Sequence, residues 1–145
     1  MVIRKQVEIR TRPELIWDVI TDLRHAKEWA PGFEDYPFIS IDWPAAGGTA
    51  VWRYHAGPMH FDFNLKLIKS ERGRALHIAN KSSFGTGLEI YRFTHVNGTT
   101  IIDYEASSQP NLLGRLFAAA MTRKLEKQMD QAIVNLKRYC EAGAR

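Results

Sequence analysis

Hydrophobic and polar positions alternate over residues 2–10. Ile3, Val7 and Ile9 share one face and Gln6, Glu8 and Arg10 the other, a period of two that predicts a half-buried strand. Thr11-Arg12-Pro13-Glu14 follows; Thr11 with Glu14 three residues on fits a capping box, and proline is tolerated in a first helical turn. Ile16, Trp17, Ile20 and Leu23 then recur at helical spacing, and a second short helix is predicted around residues 22–29, stopped by Pro31-Gly32. From Phe33 to Ser107 the period returns to two. Turn signals at residues 44–48, Gly57-Pro58, Arg72-Gly73, residues 85–87 and Asn97-Gly98 leave candidate strands near 35–43, 49–56, 59–70, 74–81, 87–96 and 99–107. Short loops between consecutive strands predict an antiparallel meander, and Asn97-Gly98 is its strongest hairpin signal.

Pro110-Asn111 opens a long helix, expected from about residue 111 to 141, with Asn111 as N-cap. Leu113, Leu116, Phe117, Met121, Leu125, Met129, Ala132, Ile133, Leu136 and Cys140 follow at spacings of three and four and are expected to face inward. Such a helix spans about 45 Å, against a diameter near 40 Å for a compact chain of this length, so it must cross the whole domain. The expected fold is α+β: a seven-stranded antiparallel sheet wrapped around one long C-terminal helix, with two short helices after strand 1. A sheet bent around one helix encloses space, and a concave apolar space is where small molecules bind.

Composition narrows this picture. At 145 residues, with 45% hydrophobic and 25% charged side chains, the chain reads as one globular domain over residues 1–145. Cys140 is the single cysteine, so no intrachain disulfide is possible. The longest apolar run, Leu116 to Met121, is far short of a membrane span, and Met1 to Gln6 lacks an apolar leader stretch, which points to a cytoplasmic protein. The formal net charge is +4, and the whole excess lies in residues 115–145, where seven basic side chains face three acidic ones. That segment suits an anionic membrane surface. The favoured reading of it, however, is a solvated helix face whose late cations complement the helix dipole. Nucleic acid is not expected, because the charges form no dense patch.

The run Arg12-Pro13-Glu14-Leu15-Ile16-Trp17-Asp18-Val19-Ile20-Thr21-Asp22, followed by Trp29, Phe33 and Tyr36, resembles the START-type helix-grip superfamily (SRPBCC), in particular its polyketide cyclase/dehydrase-like branch. Gly98-Thr99 before the last strand and Asn135-Leu136-Lys137 with Glu141 at the helix end fit the same pattern. The resemblance covers nearly the whole length and implies the helix-grip fold. It leaves function open, because the superfamily includes cyclases, lipid carriers, quinone binders and chaperone co-factors. Relatives place aromatic groups against the ligand where Trp29, Phe33 and Tyr36 stand. In aromatase/cyclase relatives the alternate positions of the strand at 59–70 point into the cavity, and these fall on Asp62, Asn64 and Lys66.

The residues themselves offer a lining and few reactive groups. Trp52/Tyr54, Phe61/Phe63 and Tyr91/Phe93 each share a strand face. With Trp29, Phe33, Tyr36, Met121, Leu125 and Met129 they are the candidate ligand contacts. His60, Asp62, Asn64 and Lys66 interleave with the phenylalanines. Patterning turns this row to solvent, whereas the resemblance turns it inward, and a bulge after Gly57-Pro58 would reverse the phase. An internal Asp62 would be a general acid or base. Candidate catalytic groups are therefore Tyr36, Asp62, Asn64 and Arg92, although Arg92 with Asp103 also fits a cross-strand ion pair. His25, His55, His60, His77 and His95 are scattered, so no metal and no cofactor is expected. Three functions remain: a binder or carrier of a small apolar molecule, a cyclase/aromatase/dehydratase, and a protein-interaction module using the basic helix. The first is favoured, since no catalytic set converges. The oligomeric state stays open.

Overall fold

A computed structural model describes residues 2–144, with the side chains of residues 119–121 outside the description. The element order is β1 (Val2–Ile9), α1 (Pro13–Thr21), a 3₁₀ turn (Leu23–His25), α2 (Ala26–Trp29), β2 (Phe33–Ile39), β3 (Thr49–Ala56), β4 (Met59–Glu71), β5 (Ala75–Ser82), β6 (Gly85–Val96), β7 (Thr99–Pro110) and α3 (Leu112–Glu141). The strands form one seven-stranded sheet in the order β1-β7-β6-β5-β4-β3-β2, antiparallel throughout. This is the predicted meander from β2 to β7, with β1 added at the far edge beside β7. Asn97 and Gly98 both take positive φ, at 50° and 78°, which a two-residue hairpin requires to match strand twist. The strand expected at 35–43 is instead Phe33–Ile39, because residues 41–44 turn. Trp43 in that turn donates its indole N–H to the Thr21 carbonyl at 2.7 Å, holding the loop against α1.

The first helix starts one residue later than the capping box requires. Arg12 is its N-cap and makes no side-chain cap bond, and Pro13 opens the first turn. A proline there removes one of the backbone donors a cap would satisfy. Glu14 instead lies beside Gly73 in the β4–β5 turn, where an added Cβ would meet its Cγ at 3.1 Å. Ile16, Trp17, Val19 and Ile20 are buried. The Trp17 indole N–H donates to the Ala75 carbonyl at 3.3 Å, and Asp18 pairs with Arg72 at 2.7 Å. Asp22 then caps the 3₁₀ turn, accepting from the Arg24 N–H.

Asn111 caps α3 as predicted, its side-chain oxygen accepting from the Gly114 N–H at 2.9 Å. The apolar row of α3 does not face inward along its whole length. Leu136 and Cys140 are buried, but Leu112 is 74% and Leu116 73% exposed, and Leu113 and Phe117 are also exposed. The cause is geometric. A row spaced by four residues advances about 40° round a helix at each step, so Leu113 and Ile133 point to nearly opposite sides. The second half of α3 packs on the sheet. It is tied there by Lys137 Nζ donating to the Glu8 carbonyl at 2.7 Å and by Arg10 N–H donating to the Glu141 carboxylate at 2.9 Å.

Candidate functional site

Between the inner face of the sheet and α3 lies a cavity of about 290 Å³. Its wall is built by the alternation of the strands, which sends every second side chain inward. Strands β3 and β4 contribute Trp52, Tyr54, Phe63 and Leu65; β5, β6 and β7 contribute Ile78, Tyr91 and Ile102; α3 contributes Leu125, Met129, Ala132, Ile133 and Leu136. Trp29 and Ala30 close the side nearest α2. Trp29 and Trp52 meet edge to face, with ring centroids 6.1 Å apart.

Seven of the expected ligand contacts line this space: Trp29, Trp52, Tyr54, Phe63, Tyr91, Leu125 and Met129. Phe33, Tyr36 and Phe61 stand behind the wall rather than in it. Phe33 packs edge to face on Trp52 at 4.8 Å, and Tyr36 stacks on Phe33. Phe61 lies among Tyr54, Phe63 and Phe84. The Met121 side chain lies outside the described residues.

The reactive candidates lie elsewhere. Strand pairing between β3 and β4 runs without a register shift from Ala56↔Met59 to Thr49↔Lys66, so no bulge reverses the phase after Gly57-Pro58. Phe61, Phe63, Leu65 and Leu67 therefore keep the inner face, and His60, Asp62, Asn64 and Lys66 the outer one. Asp62 is bound there by Arg53 at 3.0 Å, and Asn64 is exposed. Arg92 is exposed on the same outer face, opposite Asp103 in register. Asp103 accepts from the Gln6 amide at 2.9 Å. Of the four catalytic candidates, then, Tyr36, Asp62, Asn64 and Arg92 all fall outside the cavity.

The polar groups inside the cavity are different ones. Glu89 on β6 lines it beside Tyr91, and Tyr104 stands opposite Tyr91 on β7. The Tyr91 hydroxyl donates to Glu89 Oε2 at 3.0 Å, and the Tyr104 hydroxyl also favours the charged form of the same carboxyl group. Burial pushes the Glu89 carboxyl above the usual carboxylate range, and the two tyrosine hydroxyls only partly oppose this. Burial and the facing Glu89 raise both tyrosines well above their ordinary value. Tyr54 is pushed up to about 12 for the same reasons, and its hydroxyl donates to Gln128 of α3 at 2.9 Å. Asn80 of β5 lies over Gly87, where an added Cβ would meet its Oδ1 at 2.9 Å. The Trp29 indole N–H is buried and has no hydrogen-bond partner. Sequence analysis missed Glu89, Asn80, Tyr104 and Gln128 as wall residues. The signal for Glu89 was present, since a period of two places it on the face of Tyr91 and Phe93.

The sequence matches the family described as "Polyketide cyclase / dehydrase and lipid transport" over residues 2–141. The chain belongs to this family. No curated protein matches it by sequence. Among solved structures it is similar to a protein from Thermus thermophilus (TM-score 0.79, 12% identity, all of both chains covered). A protein from Chromobacterium violaceum has a TM-score of 0.77 at 13% identity, with 97% of this chain and 98% of that one covered. A START superfamily protein from Mycobacterium smegmatis has a TM-score of 0.67 at 12% identity, with 93% and 98% covered. At such identities these likenesses establish the helix-grip fold.

Other features of this polyketide cyclase/dehydrase and lipid transport family member bear on its chemistry. Burial pushes the Cys140 thiol up to about 12, which leaves it a poor nucleophile. Among the described residues, no group of three or more His, Cys, Asp or Glu side chains is placed to hold a metal ion. His55 and His60 face each other across the hairpin, and His60 is bound to Glu34. No described helix is long and apolar enough to cross a membrane.

Proposed function

We propose that the protein binds a small apolar molecule, aromatic or lipid-like, non-covalently in the cavity between the sheet and α3. The observation that supports this is the interior space itself: about 290 Å³ walled mainly by aliphatic and aromatic side chains. A well-packed core leaves few voids larger than a water molecule. Each 100 Å² of apolar ligand surface removed from water contributes about 2.5 kcal/mol before the costs of association. Useful affinity therefore needs no polar motif. The test is native mass spectrometry of the purified protein, followed by a thermal-shift screen of fatty acids, quinones, sterols and flat polyphenols. We expect a ligand-dependent rise in Tm. Ala132→Phe, which fills the space from α3, is expected to abolish that rise while the protein still melts cooperatively. A screen with no hit, or hits indifferent to Ala132→Phe, overturns the reading.

A cyclase/aromatase/dehydratase reading draws on one observation, Glu89 inside the cavity with an elevated proton affinity. It no longer draws on Asp62, Asn64 or Arg92. A membrane partner draws on the outer side of α3. Leu112, Leu116, Arg123 and Lys127 fall within about 60° of one another at 100° per residue, and Leu112 and Leu116 are largely exposed. Apolar side chains followed along one helix face by cations suit an anionic lipid surface. We expect the protein to float with phosphatidylglycerol vesicles and not with phosphatidylcholine ones, and Leu116→Glu with Lys127→Glu to abolish flotation. Equal recovery with both vesicles, or none with either, removes the membrane from the list of partners.

A further inference from the structure

We propose that Glu89, Tyr91 and Tyr104 form a head-group subsite for a neutral ligand oxygen, a ketone or quinone carbonyl, and that the cavity rejects carboxylates. This deepens the reading of the cavity as a binding site and rests on it.

The argument is one of donors and acceptors. The Glu89 carboxyl receives a hydrogen bond from the Tyr91 hydroxyl, and the Tyr104 hydroxyl on β7 also favours its charged form. One acceptor position is therefore already filled from within the wall. No cation of the cavity wall is available to balance a negative charge there. Lys5 is the one Lys or Arg among the described lining residues, and its ammonium is bound by Asp130 of α3. The remaining groups facing this space are Tyr54 from β3, Asn80 from β5, Gln128 from α3 and Trp29 from α2, none of which carries charge at neutral pH. An interior without a counter-ion favours the neutral carboxyl. That form has one O–H still to donate. A ligand oxygen that only accepts satisfies this donor. A carboxylate would enter an apolar interior beside an acidic group and lose its hydration without a cation to receive it.

The test uses three probes with one bicyclic body: acetylnaphthalene, ethylnaphthalene and naphthoate. Affinities are measured by calorimetry and by quenching of the tryptophans, three of which (Trp29, Trp43 and Trp52) line the cavity. At neutral pH acetylnaphthalene is expected to bind about tenfold more tightly than ethylnaphthalene, the equivalent of one buried hydrogen bond, and naphthoate more weakly than either. The wild-type affinity for acetylnaphthalene should fall as pH rises through the Glu89 titration. Glu89→Gln, which keeps a neutral donor, should give a flat profile. Glu89→Ala should bring acetylnaphthalene down to the affinity of ethylnaphthalene.

Equal binding of acetylnaphthalene and ethylnaphthalene with a flat wild-type profile overturns the subsite and leaves the cavity reading standing. Naphthoate binding as tightly as acetylnaphthalene overturns the subsite too. Failure of all three to bind, ethylnaphthalene included, overturns the cavity reading and the subsite together. Should Glu89→Ala not fold, the comparison of wild type with Glu89→Gln across pH decides alone.

Discussion

Gly114→Ala is expected to destabilise the protein by about 2 kcal/mol, although helix propensity alone predicts a gain of about 1 kcal/mol for replacing an in-helix glycine with alanine. Gly114 lies in the first turn of α3 and donates its N–H to the cap residue Asn111. A Cβ built there would stand 2.2 Å from the Phe84 carbonyl oxygen and 3.0 Å from Pro110 Cβ. The carbonyl is not free to move away, because it accepts the Asn111 N–H at 2.9 Å. The helix start would have to lift from the β5–β6 turn, loosening the contact between Phe84 and Phe117. Urea denaturation checks the sign, and thermal melts should show a Tm lower by about 6–8 °C. A rise in stability would mean that α3 does not approach Phe84 this closely in solution.

Glu89→Gln should have the second large effect, and it should depend on pH. The folded protein raises the Glu89 pKa above its ordinary value of 4.5, so between that value and the folded one the native state binds more protons than the unfolded state. Stability then falls as pH rises, by up to about 1.4 kcal/mol per pH unit within the window. Glutamine has no such penalty. Wild type and variant should melt together near pH 4, and the variant should melt higher at pH 7 to 8, each kcal/mol appearing as about 3–4 °C for a chain of this length. The opposite trend, with wild type gaining on the variant as pH rises, would mean that the carboxylate is stabilised in its charged form by the two tyrosines.

Most of the fold was legible in the sequence, because strands and helices are set by periods that one sequence displays. Ile3, Val7 and Ile9, the Asn97-Gly98 turn and the Asn111 cap all lie where patterning puts them. The errors came where a local rule met a three-dimensional constraint. Thr11 and Glu14 have capping-box spacing, yet Pro13 opens the helix and Glu14 turns to Gly73. Leu113 and Leu116 belong to an apolar row, yet the row winds away from the sheet before it reaches them. Within the cavity the lining aromatics were readable from strand phase, as Trp52, Tyr54, Phe63 and Tyr91 illustrate. Glu89 was overlooked because a glutamate reads as a solvent residue unless its phase is followed through Tyr91 and Phe93. Whether Tyr104 and Glu89 meet depends on pairing between β6 and β7, and no single strand carries that information.

The placement of β1 at the sheet edge has a consequence for biosynthesis. Its sheet neighbour is β7, and Ile3 lies opposite Ala106. A ribosome therefore delivers β1 roughly a hundred residues before the strand that will hold it. Pairing this distant in sequence is slow to form, because chain entropy is lost before any contact rewards it. Until β7 emerges, Ile3, Val7 and Ile9 have no native sheet partner, and the nascent chain carries an open strand of the kind that chaperones bind. The β2–β6 hairpins can assemble as they are made. The closing step of the sheet waits for its last strand, so N-terminal fragments ending before residue 107 should be poor folders and prone to associate with one another.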